Sequence, residues 1–193
     1  MPKPLERRIA TVGEFRVSSA DGVSKIAGHA AKFDVLSEDL GGFRERIAPG
    51  AFADSIKNSD IRALFNHDSN IVLGRNKAGT LRLSEDLAGL AFEVDAPQTQ
   101  LVRDMVLAPI ERGDVSQCSF GFYTRQDKWA KLDGEWVRTL LDVELFDVSP
   151  VTYPAYPSTD VAVRGLHDAI NAASPPDESW RILIARRRLD LAL

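Results

Sequence analysis

Residues 118–157, CSFGFYTRQDKWAKLDGEWVRTLLDVELFDVSPVTYPAYP, decide how this chain folds. The run opens as an alternating strand pattern, breaks at Asp133-Gly134, and resumes as a long strand or strand pair. An Asp-Gly pair between two such runs is a hairpin signal, because both residues accept the left-handed backbone that a tight strand turn needs. On the first strand the period of two places Cys118, Phe120 and Phe122 on one face. Ser119 and Gly121 share the other. The aromatic face reads as core, so Cys118 is a small apolar filler and Ser116, by the same count, starts the strand on its side. Ser119 points outward or into a cleft, and Gly121 leaves room there for a substrate backbone. On the second strand Asp142 and Glu144 share a face, and Asp147 lies on the other unless a bulge intervenes.

Working outward, residues 14–33 read as two strands about SSADGVS, with Phe15 and Val17 before the turn and KIAGHAAKF after it. Pro49-Gly50 turns the chain into a short helix in PGAFADSIKNS. IRALFNHD is a short apolar strand ending in polar residues, and residues 71–97 hold at least two further strands. Leu101, Val102, Met105, Val106 and Ile110 fall at helical spacing, with Pro109 bending or ending that helix and Gly113 closing it. After Pro157 the character changes. SPPDE (174–178) is a breaker, and SWRILIARRRLDLAL is a terminal helix candidate. The expectation is a β-rich core to residue 163, followed by a linker and helical tail over 164–193.

With 193 residues, 44% hydrophobic and 27% charged, the chain has enough apolar surface for a real core. Its net charge of −4 gives no bulk support to nucleic-acid binding. No apolar run approaches the roughly 18 residues of a spanning helix, and the N-terminus lacks the apolar core of a signal peptide, so a cytoplasmic protein is expected. A single cysteine excludes an intramolecular disulfide and any Cys-rich zinc site. Three scattered histidines include no close metal-binding pair. His29, among small residues, reads as a strand histidine held in place, and His167 as a surface residue. His67 ends a hydrophobic strand in ALFNHD, where a rigid scaffold presents side chains to a loop. A serine nucleophile needs a base, and a histidine base needs an orienting group. Ser119, His67 and the acids Asp142, Glu144 and Asp147 supply those residue types. The bland reading is a solvent-facing serine and three solvated carboxylates.

The segments SEDLGGFRERIAPGAF, ALFNHDSNIVLGR, GTLRLSEDLAGLAFEVDAP, RGDVSQCSFGF and LLDVELFDVSPVTYPAYP, in this order, resemble the prohead (capsid maturation) serine proteases of tailed bacteriophages. The resemblance covers about residues 5–163 and extends to the herpesvirus assembly proteases. It implies an α+β, β-rich fold: a mostly antiparallel β-barrel surrounded by helices, here with a helical C-terminal tail. It implies a serine endopeptidase that cleaves the scaffold, or the scaffolding segment of the major capsid protein, and itself, inside the assembling procapsid of the host cytoplasm. The family histidine falls on His67 and the family serine on Ser119, preceded by Cys118 where the family usually has methionine. The third member is Glu144 or Asp147. Glu144 ranks first by its distance from Ser119, which is similar to that in the herpesvirus relatives, while Asp147 sits in the family's acid-Val-Ser motif. The loop after the acid strand, near Thr152, is a candidate source of oxyanion donors. The implied partners are the capsid protein and its scaffold segment, with homodimer or self-association as in the relatives, and neither cofactor, metal, membrane nor nucleic acid. The competing reading is a scaffold-binding assembly module that keeps the fold without the chemistry, with the tail as its docking helix.

Overall fold

The structure, a computed structural model, describes residues 5–10, 16–20, 22–153 and 165–170. The 118–157 stretch forms the hairpin that organises it. Strand β9 (Gln117–Leu132) and strand β10 (Glu135–Val151) pair antiparallel along their length. Asp133 and Gly134 join them with φ of 51° and 87°, the left-handed pair that the dipeptide suits. Phe120 and Phe122 are 1% and 0% exposed and stack with centroids 5.1 Å apart. Burying each is worth about 2–3 kcal/mol. A slip of one residue would expose both, so this packing fixes which face Ser119 occupies.

The remaining strands are β1 (Glu6–Ala10), β2 (Arg16–Ala20), β3 (Val23–Lys32), β4 (Phe43–Ile47), β5 (Arg62–Phe65), β6 (Asp68–Arg75), β7 (Leu81–Glu85) and β8 (Gly89–Asp95). They form two sheets. One has the order β1-β9-β10-β5-β6, with β4 also paired to β10, and the other the order β2-β3-β8-β7. The barrel expected from the resemblance is not reached: the fold is α+β-like and β-rich, but neither sheet closes on itself among the described residues. Most pairs are antiparallel. The exceptions are β4 and β5, which both run parallel to β10, on its first and second halves.

Helix α1 (Ala53–Asn58) follows the Pro49-Gly50 turn as expected. The helix over 100–111 does not end at Pro109. It runs through α2 (Gln100–Val102), a π-helical stretch Arg103–Leu107 and α3 (Ala108–Glu111). The wider turns precede a residue that has no N–H to donate, which lets the helix pass the proline. The main core lies between the sheets, from Ile26 and Ala30 through Phe92 and Val94 to Phe120, Phe122, Val143 and Leu145, with Val106 and Ile110 of the helix. Residues 165–170 are helical, and Leu166 packs with Leu40 and Phe43 in a smaller cluster beside Trp129 and Trp136. The tail helix expected over 179–193 lies outside the described residues.

Candidate active site

Strand β5 runs parallel to β10, with Asp147 beside Arg62 and Val148 beside Ala63. Its far end therefore arrives at the far end of β10. There Asn66 and His67 form the two-residue turn into β6, with φ of 54° and 58°. Such a turn needs positive φ at both centres, which histidine adopts only at some cost. The strain is offset by ties to the end of β10 and the residue after it: Asn66 N–H donates to Pro150 O at 3.0 Å, and Asn66 Nδ2 donates to Thr152 Oγ1 at 3.1 Å. In return Thr152 N–H donates to Asn66 Oδ1 at 2.8 Å. That amide is thereby committed to the turn, so the oxyanion donor expected near Thr152 is not this group.

The turn holds His67 over the face of β9 that carries Ser119. His67 Nε2 lies 2.7 Å from Ser119 Oγ, and His67 Nδ1 lies 2.6 Å from Asp147 Oδ2. An ionised carboxylate only accepts, so Nδ1 carries the proton in the neutral ring and Nε2 is the acceptor facing the serine. Ser119 Oγ also lies 2.9 Å from the Arg8 carbonyl of β1, giving its hydroxyl a second acceptor. Ser119 is 0% exposed and Asp147 1%.

Asp147 reaches this face through a bulge. Leu145 pairs with Phe122 and Asp147 with Gly121, which leaves Phe146 as an extra residue on β10. Phe146 turns outward, 42% exposed, and meets the edge of Tyr123. Past the bulge, Asp147 and Ser149 share the face of Gly121 and Ser119, with Ser149 directly opposite Ser119. Ser149 Oγ donates to Asp147 Oδ2 at 2.6 Å. Gly121 is small for a different reason from the one read in the sequence. A Cβ there would collide with Asp147 Oδ1, so the space belongs to the carboxylate and not to substrate.

Glu144, ranked ahead of Asp147 in the sequence, is not brought to His67. It pairs with Tyr123, four residues and about 13 Å along the strand from Ser119. Its side chain is half-exposed, 3.5 Å from Arg125. Of the other candidates, Ser116 is exposed just before β9. Cys118 is fully buried in the core, and desolvation first, then the negative charge of Asp147, pushes its thiol up to about 12. It is no thiolate nucleophile at neutral pH. His29 pairs with Asp86 at 2.8 Å on the surface, and His167 is exposed. The residue that sequence reasoning missed is Ser149. Its one signal was the serine of the acid-Val-Ser motif, read only as a marker for the acid.

The family model described as caudovirus prohead serine protease matches residues 13–171, and the chain belongs to that family. It is a serine protease of the capsid maturation class. No curated protein and no solved structure matches it.

Proposed function

We propose that this member of the prohead serine protease family hydrolyses peptide bonds with Ser119 as nucleophile, His67 as general base and Asp147 as the orienting acid. The observation that carries the reading is the unbroken contact line from Ser119 Oγ to His67 Nε2 and from His67 Nδ1 to Asp147 Oδ2, at 2.7 and 2.6 Å. His67 Nε2 takes the hydroxyl proton as Oγ attacks the scissile carbonyl carbon. Asp147 holds the Nδ1–H tautomer and stabilises the imidazolium that results. The imidazolium then protonates the leaving amine as the C–N bond breaks, leaving an acyl-enzyme. His67 next deprotonates a water, whose oxygen attacks the ester carbonyl, and the proton returns to Ser119 on release of the new carboxylate. In this reading Glu144 is not the third member.

The substrate we assign is the scaffold, or the scaffolding segment of the major capsid protein, and the enzyme itself, within the procapsid. Residues 1–163 are the protease domain, the helix at 165–170 packs on it through Leu166, and the rest of the tail to 193 docks on scaffold or is removed by self-cleavage. Co-expression of Ser119→Ala with the cognate capsid protein tests the assignment. Scaffold should remain uncleaved, and normal scaffold removal would refute the nucleophile. Asp147→Asn should lose on the order of ten-thousand-fold in rate, the penalty of a wrong tautomer in such an arrangement, whereas Glu144→Gln should stay near the parent.

One observation favours the non-catalytic assembly module: Ser119 is 0% exposed, so a substrate carbonyl must displace something to reach Oγ. Reaction with a fluorophosphonate separates the readings. A catalytic site opens and is phosphonylated at Ser119, while a pure binding module leaves Ser119 unlabelled.

A further inference from the structure

We propose that Ser149 is a positioning residue for this chemistry, acting through Asp147; the inference rests on the reading of Ser119 as nucleophile. Ser149 is 0% exposed, on a strand end where Val148, Pro150 and Val151 are all buried. A hydroxyl in such a place is costly unless it is bonded. Its Oγ donates to Asp147 Oδ2 at 2.6 Å, the same oxygen that receives His67 Nδ1–H at 2.6 Å.

Asp147 needs this second donor for a reason rooted in the fold. It sits just past the bulge at Phe146, where the β9–β10 ladder is interrupted. Pairing with Gly121 on one side and Arg62 on the other places its backbone, but leaves the rotation of its carboxylate to side-chain partners. His67 cannot supply the constraint alone, because its ring is carried by a two-residue turn and takes its own direction from the carboxylate. Ser149, two residues on and opposite Ser119, lies on the same face of β10 as Asp147, so the strand itself aims its hydroxyl at the carboxylate. The other carboxylate oxygen rests in the notch above Gly121. The carboxylate is thus gripped by a strand hydroxyl, an imidazole and a glycine notch, and charge-assisted hydrogen bonds of this kind are the strong ones. The two serines that face each other across β9 and β10 then have separate tasks. Ser119 attacks, and Ser149 aims the acid that aims the base.

The test uses the full chain and a fluorophosphonate probe, with the labelled residue located by peptide mass spectrometry and folding followed by circular dichroism. Ser149→Ala should lower the labelling rate about tenfold, the worth of one hydrogen bond to a charged group. Ser149→Thr, which keeps the hydroxyl, should restore most of it. In an Asp147→Asn background, Ser149→Ala should cost nothing further, because the two act as one unit. The low-field proton resonance of His67 Nδ1–H should move in Ser149→Ala and return in Ser149→Thr. Labelling of Ser149→Ala at the parent rate, or losses that multiply in the double variant, would overturn the proposal. If Ser149→Ala does not fold, Ser149→Cys keeps the side-chain shape, slightly enlarged, with only a weak donor and carries the same comparison. Labelling of the parent at a residue other than Ser119 would instead refute the nucleophile reading, and with it the ground on which this inference stands.

Discussion

At the scale of single residues, Gly121 carries the sharpest consequence. The period-two pattern correctly separated Cys118 from Ser119, because alternation depends only on local backbone geometry and the aromatic residues at 120 and 122 declare the core side. For the acid it left the face of Asp147 conditional on a bulge. Unbroken parity along β10 would put Asp147 on the opposite face from Glu144, and the extra residue at Phe146 is the bulge that brings it round, a register shift that no local composition announces. Gly121 and Asp147 then fit together, one lacking the atom that the other's carboxylate replaces. We expect Gly121→Ala to push Asp147 off His67 and lower the fluorophosphonate labelling rate about a hundredfold, as for a misplacement of about 1 Å at a reacting centre. The fold should survive, because position 121 faces away from the aromatic core. A labelling rate equal to the parent's would show that the carboxylate tolerates displacement. Cys118 supplies a control at the same scale. With its thiol pushed up to about 12 by burial, iodoacetamide at pH 7 should leave the native protein unmodified and its labelling rate unchanged.

At the scale of elements, the hairpins were legible and their neighbours were not. Asp133-Gly134 marked the β9–β10 turn because a two-residue turn has a chemical signature. The parallel placement of β5 beside β10 joins segments some 80 residues apart, as from His67 to Asp147, and leaves no such mark. Yet that placement is what brings the His67 turn to Ser119. The turn's anchor is Asn66, which tolerates positive φ and spends its amide on Thr152 from both sides. Asn66→Ala removes both side-chain bonds and strains the turn. It should destabilise the fold by about 1–3 kcal/mol in urea titration and slow labelling as well. Asn66→Gly relieves the strain but leaves the turn untied, so it should recover stability more than it recovers labelling. Equal recovery of both would mean that the ties to Thr152 do not position His67.

At the scale of the whole molecule, the resemblance anticipated a closed barrel, but the described strands make two open sheets. Besides its ladder with β9, the N-terminal strand is joined to the rest by a buried charge network, which alternation of polar residues along β1 and β10 does not disclose. Arg8 of β1 bonds Glu6 and, through two nitrogens, Glu45 of β4, while Arg138 of β10 bonds Glu6, Glu45, Asp127 and Thr124. Glu6, Arg8, Glu45 and Arg138 are all less than a tenth exposed. Burial by itself pushes the Glu6 carboxyl up. The hydrogen bond and charge of Arg138, the charge of Arg8 and the hydrogen bond of Thr124 outweigh it and hold the group below its ordinary value of 4.5. A carboxyl whose folded value is depressed contributes stability that is present above its unfolded value and is lost as the pH falls through the folded one. The contribution of Glu6 should therefore be intact at neutral pH and decline below about pH 4.5. Glu6→Gln removes one partner from a buried ionic cluster, a change that typically costs about 3–5 kcal/mol. Urea unfolding should find the variant less stable than the parent at pH 7, with the gap narrowing as both are taken below pH 4.5. A gap that stays constant through that range would mean that Glu6 contributes by shape and not by charge. Because β1 also brings the Arg8 carbonyl to Ser119 Oγ, the same acid titration followed by fluorophosphonate labelling should detect a change at the nucleophile as the network weakens, linking the charge cluster on one face of the sheet to the serine on the other.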